Sequence, residues 1–411
     1  MDNIAIVGGG AAGLISAIFA ARLGGSVMLF ERNEKLARKV RITGKGRCNV
    51  TNLCDVNEFL KNVPTNPRFL YSALNRFSPE DTYEFFESLG VPLKTERGRR
   101  VFPVSDNANH IADAMIKECR RLGVRIINER VTELIIRDGK AVGVMTSKDS
   151  YNASAVIVCT GGASYPRTGS DGDGYRFARS AGHTVTPLVP SLVPLTAGGI
   201  CAECQGLSLK NVGFSVKDES GKTVYNDFGE LMFTHFGLTG PVILSASAHI
   251  PDAASGKYTA VIDLKPALDE KTLDNRILSD FSEYINKDFC NSLSSLLPQK
   301  LISPIVRLSG IDGRKKVNEI TKAERARLVT LLKHLEINIR GTRPIDEAII
   351  TKGGVSVKEL DPKTMESKKV ASLFFCGEII DTDAYTGGYN LQIAFATGVL
   401  AGEAAAMSVY E

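Results

Sequence analysis

The stretch IAIVGGGAAG at residues 4–13, together with SVMLFE at residues 26–31, decides the fold of this chain. Its first four residues are apolar and mostly β-branched, which predicts a short buried strand. The glycines that follow satisfy the pattern G-x-G-x-x-G, and the small and apolar residues after Gly13 predict a helix. The second stretch predicts a neighbouring strand that ends at Glu31. A strand, a glycine turn, a helix and a second strand in this order indicate a dinucleotide-binding unit.

Each of these positions has a physical reason in such a unit. Gly8 permits the sharp turn out of the strand, Gly10 lets the backbone approach a pyrophosphate, and Gly13 lets the helix pack closely on the sheet. The free N–H groups at the helix N-terminus favour phosphate. Glu31 follows Gly8 by 23 residues, where its carboxylate can accept hydrogen bonds from ribose hydroxyls and disfavours a 2′-phosphate. The unit alone leaves both FAD and NAD open.

The composition is that of a globular protein with more than one domain. The chain has 411 residues, 43% of them hydrophobic, and a net charge of +4,. The basic excess lies largely in residues 265–340, where either a solvated helical face or a docking patch explains it. The eight cysteines show no disulfide pattern and several lie in apolar runs, which favours reduced thiols and a cytoplasmic location.

An uncharged stretch at residues 3–21 has the hydropathy of a membrane span. A spanning helix would carry three successive glycines in its first third, and a signal peptide would begin with basic residues, which this chain does not do. A buried strand, a glycine turn and a buried helix explain the stretch better. We therefore expect a soluble protein without a membrane partner.

Two segments favour FAD over NAD. Residues 33–52 are basic and rich in glycine, asparagine and threonine, at the point where a simple NAD domain would begin its next helix. A loop here can lie along an extended cofactor, and an exposed basic loop is the alternative. Near the C-terminus, a buried run at 373–376 leads into Gly377 and Glu378, and TGGYN at 386–390 opens a helix. In flavoproteins an acid after such a strand holds the ribityl chain, and a helix N-terminus favours the charge on a reduced flavin.

Two further segments are predicted to reach the same cofactor. Residues 124–146 read as a strand and a hairpin turned at Asp138-Gly139,, and a backbone amide near Val131 is placed to read an adenine. Residues 155–162 predict a buried strand that ends in a pair of glycines, which lets the chain pass close to a ligand. Because such segments lie at both ends of the chain, we predict a discontinuous nucleotide-binding domain.

With these motifs the chain resembles a family of bacterial flavoproteins that includes aminoacetone oxidase and the bile-acid 3-dehydro-4,6-reductase, often described only as NAD(P)/FAD-dependent oxidoreductases. The matching blocks follow one another along the chain: IVGGGAAG at 6–13, TGKGRCNVTN at 43–52, GRRVFPVSD at 98–106, CTGGASYPRTGSDGDGY at 159–175, GELMFTHFGLTGP at 229–241, ITKGGVSVKE at 350–359, KTMESK at 363–368 and GGYNLQIAFATG at 387–398. Lys45 stands where the family pattern has a glycine, and Cys201 and Cys204 are not expected in the family.

The resemblance implies an α/β fold, α+β overall, built on a glutathione-reductase-like FAD-binding Rossmann domain. An insert made of a small β-barrel and a helical subdomain interrupts that domain. The predicted divisions are 1–190 for the first FAD segment, 191–265 for the barrel, 266–340 for the helical subdomain and 341–411 for the second FAD segment. Three prolines between 187 and 194 mark the exit from the first segment,.

The motifs and the resemblance together give a set of candidate FAD contacts, and no metal site is predicted, because the single C-x-x-C at 201–204 has no second pair of ligands. The candidate FAD contacts are Gly8, Gly10, Ala12, Gly13, Glu31, Arg32, Arg38, Lys39, Thr43, Gly44, Arg47, Asn49, Val131, Thr160, Gly161, Gly162, Gly377, Glu378, Asp381, Gly388, Tyr389, Asn390 and Leu391.

His235 and Tyr165 are the candidate catalytic residues. In flavin catalysis the protein supplies position, polarity and proton transfer. His235, in FTHFGLTGP, is either a general acid or base facing a substrate or a packed histidine of the barrel. Tyr165 is either a proton donor or an anchored loop residue. Arg99 and Arg100 are either a clamp for an anionic substrate or a solvated pair.

The sequence thus favours an FAD-dependent oxidoreductase that transfers hydride between the flavin and a small organic or steroid-like substrate. No second G-x-G-x-x-G follows a strand, so NAD(P)H is expected at most as a transient electron donor. The alternatives are an oxidase of small amines that uses O₂, an RNA-modifying flavoprotein and a non-enzymatic FAD-binding protein. Nucleic acid is not the expected partner, because the charge excess is small and lacks interleaved aromatic residues.

Overall fold

The computed structural model describes residues 3–250 and 253–408. The ends of the predicted FAD segments at 1–2 and 409–411, and residues 251–252 of the predicted barrel, lie outside the described residues. The helices are α1 (Ala11–Arg22), α2 (Arg38–Ile42), α3 (Val56–Lys61), α4 (Tyr71–Arg76), α5 (Pro79–Ser88), α6 (Ala108–Arg121), α7 (Asp173–Ser180), α8 (Pro241–Ser247), α9 (Glu270–Glu283), α10 (Phe289–Ser292), α11 (Gln299–Ser309), α12 (Lys322–Lys333) and α13 (Tyr389–Ser408).

The strands alternate with these helices along the chain. They are β1 (Asn3–Val7), β2 (Ser26–Phe30), β3 (Thr51–Asn52), β4 (Leu93–Glu96), β5 (Arg100–Pro103), β6 (Arg125–Ile127), β7 (Val131–Arg137), β8 (Lys140–Thr146), β9 (Ser150–Asn152), β10 (Ala155–Val158), β11 (Val189–Ser191), β12 (Leu195–Ala197), β13 (Ser208–Lys217), β14 (Thr223–Thr234), β15 (Gly237–Thr239), β16 (Thr259–Asp263), β17 (Leu335–Thr342), β18 (Ile350–Lys352) and β19 (Leu373–Phe375).

The chain forms two compact units. One contains Met1–Ser191 and Ile345–Glu411, and the other contains Leu192–Pro344. The first unit is built on a five-stranded parallel sheet in the order β19-β10-β1-β2-β6. Its central strands are buried on both faces, as their unbroken apolar sequences predict for a parallel sheet. Because β19 pairs with β10, the C-terminal segment completes the sheet begun at the N-terminus.

Helices α1 and α13 pack against each other through small residues. A Cβ added at Gly402 would lie 2.4 Å from the carbonyl oxygen of Ser16, and one at Gly398 would lie 2.8 Å from that of Ala12. The Ser16 hydroxyl lies 2.8 Å from the carbonyl oxygens of both Ala12 and Gly398. Of the described helices, α13 alone is long and apolar enough to cross a membrane, and 72% of that stretch is buried. Its apolar surface is therefore largely accounted for by packing within the protein.

The second unit is a closed barrel in the order β12-β15-β14-β13-β16-β17, with all neighbouring strands antiparallel. A Rossmann-type domain with a barrel insert confirms the predicted fold class. The division placed at residue 340 needs correction, because the barrel strand β17 begins inside the predicted helical segment 266–340 and ends beyond it, at Thr342. Helices α9–α12 leave the barrel after β16 and return at β17, and these two strands pair directly, with Ala260 opposite Ile337. Pairing across such a long excursion closes the barrel and removes two strand edges.

Two local features of the first unit refine the prediction. The segment 33–52 is not a continuous loop, since the short helix α2 forms within it. Lys45, where the family pattern has glycine, adopts a left-handed backbone with φ of 58°, a conformation that glycine adopts without steric cost. The hairpin predicted at Asp138-Gly139 is present between β7 and β8, and both turn residues have positive φ.

Candidate active site

The turn between β1 and α1 is tightly constrained. Gly8 has φ of 112°, which excludes most side chains. A Cβ at Gly13 would lie 1.8 Å from the Gly8 carbonyl oxygen, whereas a Cβ at Gly10 would meet nothing within 4 Å. Gly10 therefore borders open space while Gly13 is enclosed. Helix α1 begins without a side-chain cap and without an acid in its first turn, so its N–H groups face that space.

Glu31 lies beside this turn at the end of β2. One oxygen, Oε2, accepts the backbone N–H of Gly9 at 2.9 Å. The other, Oε1, accepts the backbone N–H of Asn33 at 2.8 Å and its side-chain N–H at 2.7 Å. The carboxylate is thus held at the mouth of the glycine turn, as the spacing of the motif predicts.

A second polar cluster joins α2 to the C-terminal segment. The Lys39 ammonium donates to Glu378 Oε2 at 2.7 Å and to Ser164 Oγ at 2.8 Å. Glu378 Oε1 accepts the Ser164 hydroxyl at 2.9 Å and the backbone N–H of Thr351 at 3.0 Å. Lys39 and Glu378 lie only 2.7 Å apart and are mostly buried, so the charges are paired and hydrogen-bonded as burial requires.

These two clusters line one continuous cleft within the first unit. The cleft contains about 1340 Å³ of space free of protein atoms, part of it open to solvent. Two threonines that line it, Thr160 and Thr382, have buried hydroxyl oxygens with no hydrogen-bond partner in the described chain. An uncapped helix N-terminus, a glycine facing empty space and unpartnered hydroxyls fit a long, phosphate-containing and hydroxyl-rich ligand such as FAD.

The structure brings most of the candidate FAD contacts together in this cleft. Those in its lining are Gly8, Gly10, Ala12, Glu31, Arg32, Arg38, Lys39, Thr43, Val131, Thr160, Gly161, Glu378, Asn390 and Leu391. The candidates outside the lining are Gly13, Gly44, Arg47, Asn49, Gly162, Gly377, Asp381, Gly388 and Tyr389.

Three of the candidates outside the lining, Arg47, Asp381 and Tyr389, have neighbours that the structure identifies. Arg47 donates to Asp106 Oδ1 at 2.6 Å and lies over the Phe102 ring at 4.2 Å. Burial, with the negative charge of Asp383, raises the pKa of Asp381. Burial, together with the neighbouring Cys54, raises the pKa of Tyr389 to about 12, so its phenol is neutral at physiological pH.

The two candidate catalytic residues lie in different units. Tyr165 is half-buried, has φ of 52° and packs 5.8 Å from the Lys39 ammonium. His235 is exposed in the turn between β14 and β15, with its ring 5.0 Å from that of Phe236. Arg99 pairs with Glu58 at 2.6 Å, and Arg100 donates to the Arg97 carbonyl at 3.1 Å.

Sequence reasoning missed one part of the cleft lining. Arg130, residues 168–171 and Asp173 also line the cleft, and Arg32 donates directly to Asp171. The signal was present as two acids, Asp171 and Asp173, spaced by glycines after a cofactor strand. Nothing in the spacing indicates that these acids pair with two arginines that precede them by more than forty residues.

The fold and the site are those of an FAD-dependent oxidoreductase. They combine a parallel Rossmann sheet, a glycine turn, an acid at the end of β2 and a second polar cluster along one cleft. Residues 2–404 match the family model described as HI0933-like protein Rossmann domain, and the chain belongs to this family.

Relatives and structures agree with this assignment. The chain is 33% identical over 422 residues to a protein named 3-dehydro-bile acid delta(4,6)-reductase from Clostridium scindens, with 99% of each chain covered. It is 32% identical over 400 residues to a ribosomal RNA dihydrouridine synthase from Haemophilus influenzae, with 96% of each covered. The structure of a 3-ketosteroid-delta4-(5alpha)-dehydrogenase from Rhodococcus jostii matches with a TM-score of 0.55 and 14% identity, over 98% of this chain and 97% of that one; this likeness concerns the fold.

Proposed function

We propose that this protein reduces a carbon–carbon double bond conjugated to a carbonyl group. The observation that carries the proposal is what two full-length relatives have in common. A 3-dehydro-delta(4,6) bile acid has its double bonds in conjugation with a carbonyl at position 3. Uridine becomes dihydrouridine by reduction of a double bond conjugated to a ring carbonyl. Both names describe the addition of a hydride and a proton across an electron-poor double bond.

FAD suits this reaction, because the reduced flavin supplies a hydride when it is bound. In the proposed arrangement Glu31 holds the adenosine ribose and the N-terminus of α1 holds the pyrophosphate. Glu378, positioned by Lys39, holds the ribityl chain. The start of α13, with Asn390 in the cleft lining, favours negative charge on the flavin ring.

The protein must also supply a proton to the carbon next to the carbonyl. We propose Tyr165 for this role, because it belongs to the same unit as the cleft and packs against Lys39, which lines it. The Lys39 ammonium near the ring face offsets part of the negative charge that proton donation leaves on the phenol. His235, exposed in the second unit, is the alternative donor.

The preferred substrate class is a small, steroid-like enone, in keeping with the relative of 33% identity. Reduction of a uracil base in RNA is the second candidate, and the relative of 32% identity favours it. The protein is proposed to act in the cytoplasm, with NAD(P)H as a transient electron donor. All eight cysteines lie in the described residues and are unpaired, which suits a reducing compartment.

Product analysis tests this proposal. The purified enzyme is incubated anaerobically with NADH or NADPH and either a 3-oxo-4-ene steroid or an RNA fragment that contains uridine. A product two hydrogens heavier than the substrate supports the proposal, and the substrate that reacts identifies the class. If neither substrate gives a reduced product, and a separate aerobic incubation with a small amine consumes O₂, the amine oxidase alternative is established instead. The variants Tyr165→Phe and His235→Ala in the same assay distinguish the two proton donors.

A further inference from the structure

One segment of the first unit connects strand β10 to helix α7 and lines part of the cleft; it includes a short 3-10 helix at Pro166–Thr168. It comprises residues 165–173 and is called the strap here. Its backbone is left-handed at Tyr165, Gly169 and Gly172. Its N-terminal end is anchored, since Ser164 belongs to the Glu378 cluster. Its C-terminal end, Asp173, is the first residue of helix α7 and is held by the arginines around it.

Side chains from the segment that follows β2 hold the middle of the strap. Asn33 donates through its side chain to the Thr168 carbonyl at 3.3 Å, and Arg32 donates to the Gly169 carbonyl. The fit is close, because a Cβ at Gly169 would lie 2.5 Å from the Asn33 amide nitrogen. The same side-chain nitrogen of Asn33 also donates to Glu31. Asn33 therefore links the strap to the acid that the motif predicts to bind the ribose.

Ion pairs complete the closure. Arg32 donates to Asp171 Oδ2 at 2.6 Å. Arg130 pairs with both oxygens of Asp173, at 2.8 Å from its Nε and 2.9 Å from its Nη2. Burial alone would raise the pKa of Asp171, but the hydrogen bond and charge of Arg32 hold it below its usual range, so the carboxylate stays charged. The Arg130 side chain is 51% exposed, which makes its pair open to screening by salt.

We propose that the strap closes over the adenosine half of the cleft and that the Arg130–Asp173 pair controls how fast FAD is exchanged. Residues of the strap and of the segment after β2 both line the cleft, and in the proposed closure a dinucleotide bound there leaves only after the strap is released. Release breaks the pairs of Arg32 and Arg130 but leaves the parallel sheet intact. Cofactor retention is therefore a property of this local closure, independent of the substrate that the enzyme reduces.

The test is the rate at which FAD leaves the holoenzyme after dilution, followed by the fluorescence of the released cofactor. In wild-type protein the rate is expected to rise several-fold as salt increases from about 0.05 M to about 0.5 M. The variant Arg130→Gln is expected to release FAD roughly 2- to 5-fold faster at low salt and to lose part of the salt dependence, since the Arg32–Asp171 pair remains,. Arg130→Lys, which keeps the charge but not the two-pronged geometry, is expected to lie between them.

The matched control is Arg307→Gln, which removes an arginine of similar exposure paired with both oxygens of Glu203 in the second unit. It is expected to release FAD at the wild-type rate. FMN, which lacks the adenosine half, is expected to bind equally to wild-type and Arg130→Gln protein. Unchanged FAD release in Arg130→Gln, or an equal effect on FMN, would overturn the proposal.

Discussion

Gly10 and Gly13 belong to the same glycine motif, at the N-cap and in the first turn of α1, yet a side chain would meet very different surroundings at the two positions. At Gly13 the added carbon would lie 1.8 Å from the backbone oxygen of Gly8, and at Gly10 it would meet nothing within 4 Å. Gly13 is therefore required by the packing of α1 on the turn. Gly10 is required only by the ligand that occupies the cleft, which it borders.

This contrast gives a prediction at the scale of single residues. Gly13→Ala is expected to destabilise the FAD-free protein by at least about 1–3 kcal/mol, because backbone must move to admit the methyl group. Gly10→Ala is expected to leave the stability of the FAD-free protein within about 0.5 kcal/mol and to weaken FAD binding about tenfold or more, near 1.4 kcal/mol. Thermal melts without FAD and titrations with FAD measure both effects. Equal melting losses in the two variants would contradict this account.

The sequence predicted contacts between residues of one local unit and missed contacts between residues that are far apart along the chain. Gly8 and Glu31 are separated by one strand–helix–strand unit of fixed geometry, so their spacing alone predicts that they meet. Arg130 and Asp173 come from different segments, and only the folded chain brings them into contact. Arg47, a candidate contact by composition, instead pairs with Asp106, a partner that its own loop does not reveal.

At the scale of elements, a buried histidine ties the chain after α7 to the segment before β19. Ser367 Oγ accepts the backbone N–H groups of Lys369 at 3.0 Å and Val370 at 2.9 Å, so its own hydrogen points to His183 Nε2 at 2.8 Å. Nδ1 of His183 therefore carries the proton and donates to Glu359 Oε2 at 3.0 Å. Protonation of Nε2 would turn it from an acceptor into a donor. Ser367 Oγ already accepts two backbone N–H groups and is poorly placed to accept a third hydrogen bond.

Stability is consequently expected to fall on mild acidification. Burial, opposed by Glu359 and aided by the charge of Lys369, lowers the pKa of His183 below its ordinary 6.5. The unfolded chain then binds a proton at a higher pH than the folded one, so this contribution is complete above about pH 6.5 and is lost as pH falls below it. Melting temperatures measured from pH 7.5 to 5 are expected to fall more steeply for wild type than for His183→Gln.

Titration of Glu359 does not contribute to the change in stability between pH 7.5 and 5. Although burial acts to raise its pKa, Lys369 and Thr184 hold that pKa at about 2, so its contribution is lost only as pH falls below the unfolded value of 4.5, outside the tested range,. Parallel pH curves for wild type and His183→Gln would show that His183 is not the group that titrates.

Element prediction succeeded where periodicity was uninterrupted and erred where pairing is remote. The buried runs of β1, β10 and β19 were each predicted from unbroken apolar sequence. Strand β17 alternates clearly between buried and exposed residues, but it follows directly on helix α12, and its barrel partner β16 lies beyond the whole helical excursion. Local sequence carries no information on that closure.

At the scale of the whole molecule, the chain is an FAD-dependent oxidoreductase assembled from a discontinuous Rossmann unit and a barrel unit with inserted helices. The cofactor could be predicted from the sequence, because FAD imposes motifs on the backbone that must be met in any member of the class. The substrate could not, since two full-length relatives of nearly equal identity act on a bile acid and on ribosomal RNA by name. Substrate choice resides in pocket details that fold does not determine.

The central claim is that hydride passes to a double bond conjugated to a carbonyl. It is tested most directly by reducing the enzyme-bound flavin anaerobically, mixing it rapidly with an enone such as 4-androstene-3,17-dione, and following the return of the oxidised flavin absorbance. The account predicts rapid reoxidation by the conjugated ketone and none by its saturated counterpart. The RNA substrate, mixed in the same way, would identify the second candidate by the same signal. If neither conjugated substrate reoxidises the flavin while O₂ does so readily, the claim is contradicted.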